Sequence, residues 1–238
     1  MTNRRFANPV FVALDTPELS HALRLGADLR PHVGGLKIGL EFITANGPDG
    51  VRRVADLGLP VFADVKFHDI PNTVAGAARS IASLGVTIFN VHASGGAEMM
   101  RAGADAARAI NPTIQVIGVT VLTSLDDDDL GAVGQSGPTA EQATRLAMLA
   151  HMSGLDGVVC AVSDLQRIGD ACGRDFLKVV PGIRPLGSAL KDQKRADTPI
   201  EACRAGADIL VIGRPISAAL DPVAAARAIA ESLSATAA

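Results

Sequence analysis

Two aspartates and a lysine lie within six residues in the segment 64–73, DVKFHDIPNT. An apolar run, LPVFA, precedes the segment and is typical of a buried strand. Asp64 and Lys66 are two positions apart, so an extended strand would present both side chains on one face. A lysine beside carboxylates can stabilise a developing negative charge and donate a proton, although a structural ion network would use the same residues. Asp69 lies beyond the strand and can reach this pair only through a turn or from another subunit.

Short apolar runs recur along the chain, and longer Ala-rich amphipathic stretches lie between them. Near-continuous hydrophobicity is typical of parallel strands that are covered on both faces. The eight predicted strands are residues 9–15, 34–40, 60–67, 86–93, 114–123, 156–164, 176–183 and 207–213. The predicted helices are residues 17–30, 73–85, 97–110, 139–154, 199–207 and 222–234. Gly85, Gly154 and Gly206 stand where a glycine commonly ends a helix.

Eight strand–helix units predict an α/β fold, a single-domain (β/α)8 TIM barrel over residues 1–238. A doubly wound open sheet is the alternative, but no GxGxxG follows the first predicted strand. The segment 185–199 is polar, rich in lysine and longer than most loops in a compact domain. A surface loop is its simplest interpretation, and its position after the seventh strand predicts a lid.

The barrel places the charged residues of several strands at one mouth, because active sites of this fold lie at the C-terminal ends of the strands. A strand end that only faces a core has no structural need for so many polar groups. Position therefore favours a functional site over an ion network. The polar residues predicted at this mouth are Asp15, Lys37, Asp64, Lys66, Asn90, His92, Thr123, Ser124, Arg184 and Arg214.

A glycine closely followed by an arginine ends each of the last two predicted strands, in PGIRP (181–185) and VIGRPI (211–216). Loops after strands seven and eight form the usual phosphate site of such barrels. Glycine lets backbone N–H groups approach an anion, and arginine offers a planar fork to phosphate oxygens. The pair predicts a phosphorylated small molecule as the ligand.

Composition argues against several other classes of function. The formal net charge of −3 lacks the basic surplus of a nucleic-acid-binding domain, and no run approaches the length of a membrane span. Three cysteines without CxxC spacing indicate a reducing compartment, so we expect a cytoplasmic protein. The run DDDD at 126–129 is interpreted as a solvated loop rather than a metal site, since four adjacent like charges repel one another.

These segments, in this order, resemble orotidine 5′-phosphate decarboxylase over nearly the whole chain. The resemblance rests mainly on DVKFHDIPNTV (64–74). It is supported by VALD (12–15), GGLKIG (34–39), VLTS (121–124), PGIRP (181–185), DQKR (192–195) and VIGRPI (211–216). It implies a carboxy-lyase that converts orotidine 5′-monophosphate to UMP and carbon dioxide in pyrimidine biosynthesis. It also implies an enzyme without metal or cofactor, usually a homodimer.

Carried over residue by residue, the resemblance implies a role for each candidate. Lys66 would protonate C6 of the pyrimidine, and Asp64 would lie beside the substrate carboxylate. Lys37 and Asp15 would hold the ribose hydroxyls and order the charges. Asp69, with Ile70 and Thr73 near it, would reach across the dimer into the partner's site. Thr123 and Ser124 would contact the pyrimidine edge. The phosphate would be bound by Arg184, Gln193, Gly213 and Arg214.

Three alternatives remain open on the residues alone. The nearest are magnesium-dependent keto-sugar-phosphate decarboxylases and hexulose-phosphate synthases of the same barrel type. These resemble the Asp-x-Lys-x-x-Asp pattern but use a Glu on strand two, where this chain has Lys37. A Schiff-base aldolase would need a neutral Lys66, which flanking aspartates disfavour. A non-enzymatic phosphate sensor would explain the arginines but not the Asp–Lys array.

Overall fold

Eight parallel strands close into a barrel in the computed structural model, which describes residues 6–135, 137–185 and 197–237. Each strand pairs with its neighbours in sequence, and the first pairs with the last. The strands are β1 (Val10–Ala13), β2 (Gly35–Ile38), β3 (Val61–Phe67), β4 (Ile88–His92), β5 (Gln115–Val119), β6 (Gly157–Val159), β7 (Leu177–Val180) and β8 (Ile209–Ile212). The predicted TIM barrel is confirmed.

Helices surround the barrel and follow the strands along the chain. They are α1 (Leu19–Leu29), α2 (Leu40–Ala55), α3 (Pro71–Ala82), α4 (Ala97–Arg108), α5 (Asp127–Ala132), α6 (Thr139–Met152), α7 (Leu165–Cys172), α8 (Pro199–Arg204), α9 (Arg214–Ser217) and α10 (Pro222–Ala237). The six predicted helices all exist. Gly85, Gly154 and Gly206 adopt positive φ after α3, α6 and α8, as the sequence predicted.

Several segments differ from the sequence prediction, since α2, α5, α7 and α9 were not among the predicted helices. The run at Asp126–Asp129 is not a loop, because Asp126 caps α5 and exchanges side-chain-to-backbone hydrogen bonds with Asp129. Carboxylates in a first helical turn interact favourably with the helix dipole, which offsets part of their mutual repulsion. Helix α2 was missed because Gly47 and Pro48 interrupt its pattern, and the helix is kinked at Gly47, where φ is 59°.

The barrel interior explains why polar groups gather at the mouth. Inward positions are alternate residues of each strand. On β3 and β4 the buried Phe62 and Ile88 fill the lower interior, and Asp64 and Asn90 stand two residues further on. Because alternate residues of a strand point inward, the strand that buries an apolar side chain in the interior presents a polar one two residues later, nearer the mouth.

Close packing in the lower interior makes a stability prediction. A Cβ on Gly35 of β2 would lie 2.4 Å from the ring of Phe11, which is fully buried. We expect Gly35→Ala to lower the free energy of unfolding by about 1–3 kcal/mol through overpacking. The measurement is urea denaturation followed by circular dichroism.

Gly169 of α7 is the matched control, because nothing lies within 4 Å of a Cβ built there. Gly169→Ala should raise the free energy of unfolding by about 0.5–1 kcal/mol, since alanine favours a helix interior. Equal effects of the two substitutions would contradict the packing account of Gly35.

Candidate active site

The charged residues predicted at the mouth form one continuous array across three strands. Lys37 Nζ donates to Asp15 Oδ1 at 2.6 Å and lies 3.9 Å from Asp64 Oδ2. Lys66 Nζ donates to Asp64 Oδ1 at 2.6 Å. Positive and negative groups alternate, so each ammonium group faces a carboxylate. The structure brings together Asp15, Lys37, Asp64 and Lys66 as the sequence predicted.

Burial differs along this array. The side chain of Lys37 is 9% exposed and that of Asp64 is 18% exposed, whereas Asp15 is 53% exposed. Two opposite unit charges about 4 Å apart attract each other by about 4 kcal/mol at an effective dielectric of about 20. The Lys37–Asp64 pair is screened less than a surface pair, and removing either partner would leave a charge with little water around it. Asp15 is half exposed, so water screens its pair with Lys37 more strongly.

A bulge in β3 sets the direction of Lys66. The pairing of β3 with β4 advances from Ala63–Phe89 to Phe67–Val91, four residues on one strand against two on the other. Lys66 has a φ of 51° and is the one non-glycine residue with positive φ in the part of the chain that the structure describes. The expectation of a regular strand is therefore wrong here. Asp64 and Lys66 still meet, but across a bulge rather than by simple alternation.

Asn90 on β4 contacts both residues of this bulge. Its side-chain Nδ2 donates to Asp64 Oδ1 at 2.7 Å, and its Oδ1 accepts from the backbone N–H of Lys66 at 2.7 Å. Asn90 is fully buried. The sequence predicted Asn90 at the mouth but indicated no role for it. An asparagine inside the apolar strand IFNVH was the available signal, since a buried amide needs partners.

Two imidazoles lie beside the array. The rings of His68 and His92 have centroids 5.3 Å apart. Burial lowers the pKa of His92 below its ordinary value. His68 and Lys66 lower it further, and Asp64 opposes them. His92 is therefore held in its neutral form more strongly than a solvated histidine.

Two glycines border the array, Gly39 directly after β2 and Gly213 directly after β8. A Cβ on Gly39 would lie 3.1 Å from Lys37 Nζ, and one on Gly213 would lie 3.9 Å from Asp15 Oδ2. Gly213 directly follows β8 and was predicted to bind phosphate. Because β8 pairs with β1, the predicted phosphate-binding residue Gly213 lies beside Asp15 at one end of the charged array.

The arginines predicted to bind phosphate follow neighbouring strands. Arg184 is half-buried four residues beyond β7, and its backbone N–H donates to the carbonyl of Asp197 at 3.1 Å. Arg214 is exposed and begins α9 directly after Gly213. Gln193 and most of the predicted lid, residues 186–196, lie outside the described residues. Phosphate binding stays a prediction for all of them.

Thr123 and Ser124 were assigned to the wrong element, and their contact with the pyrimidine stays a prediction. Strand β5 ends at Val119, so Thr123 and Ser124 do not belong to a strand end. They are exposed and lie in a turn between β5 and α5. The apolar pattern of VTVLTS continues past the barrel pairing, which extended the prediction.

Asp69, Ile70 and Thr73 are all exposed beyond β3. Asp69 Oδ1 accepts from the backbone N–H of Ile70 at 2.7 Å, at the residue that precedes α3. This places the carboxylate on the rim, apart from the hydrogen bonds of the array. The sequence predicted its separation from Asp64 and Lys66.

Within residues 6–135, 137–185 and 197–237, no three side chains of the His, Cys, Asp or Glu type come together as a metal site would require. In the same residues no helix combines the length and the apolar character that crossing a membrane demands.

A family model described as "Orotidine 5′-phosphate decarboxylase / HUMPS family" matches residues 8–229. Two curated relatives named orotidine 5′-phosphate decarboxylase illustrate the similarity. The one from Rhodospirillum rubrum is 53% identical over 230 residues, covering 94% of this chain and 93% of the relative. The one from Moorella thermoacetica is 54% identical over 227 residues, covering 93% and 90%.

A solved structure gives the same result in three dimensions. The crystal structure of orotidine 5′-phosphate decarboxylase from Lactobacillus acidophilus superposes with a TM-score of 0.85 at 37% sequence identity. The alignment covers 95% of this chain and 99% of that chain. The likeness therefore extends over the whole barrel.

The lowered pKa of His92 predicts a pH-dependent contribution to stability. The unfolded chain binds a proton at His92 near pH 6.5 (about the value of a free imidazole), whereas the native state resists it. The native state therefore loses stability as the pH falls from about 6.5 towards the lowered pKa. We expect His92→Asn to remove this loss. Urea denaturation of both proteins at about pH 7.5 and about pH 5.5 measures it.

The relevant quantity is the difference in unfolding free energy between the wild type and His92→Asn at each pH. This difference cancels the titration of groups that both proteins share. It should shift in favour of the variant at the lower pH, and a difference that stays constant would contradict the prediction.

Proposed function

Because the chain belongs to the orotidine 5′-phosphate decarboxylase / HUMPS family, we propose that it decarboxylates orotidine 5′-monophosphate to UMP and carbon dioxide in pyrimidine biosynthesis. The family description joins two groups of proteins, so it does not by itself choose between them. The curated relatives that share about half of their residues with this chain carry the decarboxylase name.

One observation carries the choice of chemistry. The strand-two position that would bear a metal-binding Glu in the rival enzymes holds Lys37 here. Its ammonium group lies 2.6 Å from Asp15 Oδ1 and 3.9 Å from Asp64 Oδ2. A cation already stands between the two carboxylates, so a divalent ion there would meet repulsion from the lysine. The array suits a reaction that needs fixed charge and a proton.

In the proposed reaction, the bond between C6 and the carboxylate carbon breaks, and its electron pair stays on C6 as carbon dioxide leaves. The Lys66 ammonium group stabilises this charge and then transfers a proton from Nζ to C6. The amine regains its proton from water. Asp64 holds Lys66 Nζ at 2.6 Å, and its repulsion with the substrate carboxylate falls as carbon dioxide departs.

The phosphate would bind beside the Asp15 end of the array, at Gly213, Arg184 and Arg214. These residues follow β7 and β8, where barrels of this kind commonly bind phosphate. Binding energy from a group remote from C6 can order the substrate and close the site around it. The sequence alone supports phosphate binding by Gln193 and a lid over residues 185–199.

A homodimer with shared active sites accounts for the rim of the barrel. Three large apolar side chains are exposed there, each beyond the C-terminal end of a strand: Leu40 at 58%, Ile70 at 68% and Leu122 at 37%. Apolar side chains exposed at one end of the barrel offer surface that a partner can bury. Asp69 lies next to Ile70, so a partner docked on this rim would receive its carboxylate. The cytoplasmic location remains a prediction.

Replacing Lys66 tests the proposed chemistry. Lys66→Ala should lower kcat by at least about 10³-fold, because both the fixed charge and the proton donor are lost. The measurement is the loss of ultraviolet absorbance of orotidine 5′-monophosphate in the presence of a chelator. The wild type should keep full activity under those conditions, and near-normal turnover by the variant would disprove the role.

A second buried lysine supplies the control. Lys178 of β7 donates to the carbonyl of Phe176 at 2.8 Å and pairs with Asp208 at 3.3 Å, away from the array. Lys178→Ala should lower the free energy of unfolding and leave the turnover of the folded molecules unchanged. Lys66→Ala should instead lower the turnover and leave the free energy of unfolding nearly unchanged.

The shared site makes a separate prediction. Chains carrying Lys66→Ala and chains carrying Asp69→Ala should both be inactive alone. Mixed heterodimers should recover activity, because one of their two sites receives an intact Lys66 and an intact Asp69. Purified heterodimers with different affinity tags allow the measurement. An absence of recovery would rule out a cross-subunit role for Asp69.

A further inference from the structure

The side chain of Asn90 is the link between the two halves of the β3 bulge. It is fully buried on β4, and both hydrogen bonds of its amide go to β3. One bond reaches the carboxylate of Asp64 and the other reaches the backbone of Lys66. A single amide therefore holds both the backbone of Lys66 and the carboxylate that binds the Lys66 ammonium group.

The donors and acceptors fix the orientation of the Asn90 amide. The backbone N–H of Lys66 can only donate, so it must face the amide oxygen. The amide NH2 group then points to Asp64 Oδ1, which also accepts from Lys66 Nζ at 2.6 Å. That oxygen receives two hydrogen bonds and stays directed at the lysine.

The same amide supports an unfavourable backbone conformation. A non-glycine residue in the left-handed region is strained and persists where its surroundings impose that conformation. Here the regular ladder between β3 and β4 is interrupted, and Asn90 Oδ1 takes the place of a ladder carbonyl for Lys66 N–H. Without this acceptor, Lys66 could relax towards an extended conformation and turn its side chain elsewhere.

We propose that Asn90 is a positioning residue for the reaction. It aims the Lys66 ammonium group by holding the left-handed backbone of Lys66 and the carboxylate of Asp64 in one arrangement. This inference rests on the proposed function, since the direction of the ammonium group matters only if the ammonium group acts on a substrate. The charged or titratable groups around Asn90 are Asp64 and Lys66 from β3, Lys37 from β2 beyond Asp64, and His92 on β4, which contacts His68.

The first test is Asn90→Ala. Kcat for orotidine 5′-monophosphate should fall by about 10- to 100-fold, since small misplacements of a reacting group have effects of this size. KM, and the Kd of the product UMP measured by calorimetry, should change by less than about threefold, because the proposed phosphate ligands are untouched. An unchanged kcat in a folded variant would overturn the proposal. A wild type without decarboxylase activity would instead refute the proposed function.

Thr120→Val is the matched control. Thr120 is buried just beyond β5, and its hydroxyl donates to the carbonyl of Val159 at 2.8 Å. The substitution removes one buried hydrogen bond at the same end of the barrel without touching the array. It should lower the unfolding free energy and spare kcat. If both variants lowered kcat equally, Asn90 would be a purely structural residue.

The second test is Asn90→Asp, which keeps the shape of the side chain. When protonated, the new acid can still accept from Lys66 N–H and donate to Asp64. When ionised, it places a second negative charge against Asp64. The kcat of this variant should therefore rise relative to the wild type as the pH is lowered. A folded Asn90→Asp protein whose kcat ratio to the wild type is independent of pH would overturn the proposal.

Discussion

The carboxylate of Asp64 is the group on which the proposed site depends. Its Oδ1 accepts from Lys66 Nζ and from Asn90 Nδ2, and its Oδ2 faces Lys37. Three strands thus meet at one side chain that is 18% exposed. A carboxylate with so little water around it is tolerated only when its oxygens are satisfied by charge and hydrogen bonds. The need to satisfy Asp64 therefore constrains the positions of both lysines and the asparagine.

This constraint explains the irregular geometry of β3. In a regular strand, the side chain of Lys66 would point into the barrel like that of any other inward residue. Its backbone N–H would pair with a backbone carbonyl of the neighbouring strand rather than with the side chain of Asn90. The bulge instead lets the side chain return over Asp64, at the cost of a left-handed residue. The apolar interior below, which includes Phe62 and Ile88, holds the two strands in place. The close packing below the mouth thus helps to keep Lys66 in its strained backbone conformation.

The sequence was sufficient for the barrel because buried parallel strands are recognisable as apolar runs, and all eight predicted strands exist. Their positions towards the C-terminal ends of predicted strands then placed Lys37 and Asp64 at the mouth. The failures have local physical causes. Thr123 and Ser124 were assigned to a strand because hydrophobicity continues after pairing ends at Val119. The capped helix after Asp126 and the bulge at Lys66 depend on particular hydrogen bonds, which residue types alone do not specify.

Asn90 shows most clearly what residue patterns leave out. Its presence in an apolar strand signals that it must have partners, but not which ones, because the partners come from another strand whose register is irregular.

The arrangement of charges also separates two chemistries that one barrel can support. A metal enzyme needs several carboxylates converging on an empty centre, whereas here Lys37 lies between Asp15 and Asp64. A fixed ammonium group differs from a bound cation because it cannot dissociate, and a neighbouring lysine can also deliver a proton. The closure of the barrel brings Gly213 next to Asp15, so the proposed phosphate end adjoins this charged end. A substrate that spans both ends would therefore be held at its phosphate while its reacting carbon is presented to Lys66.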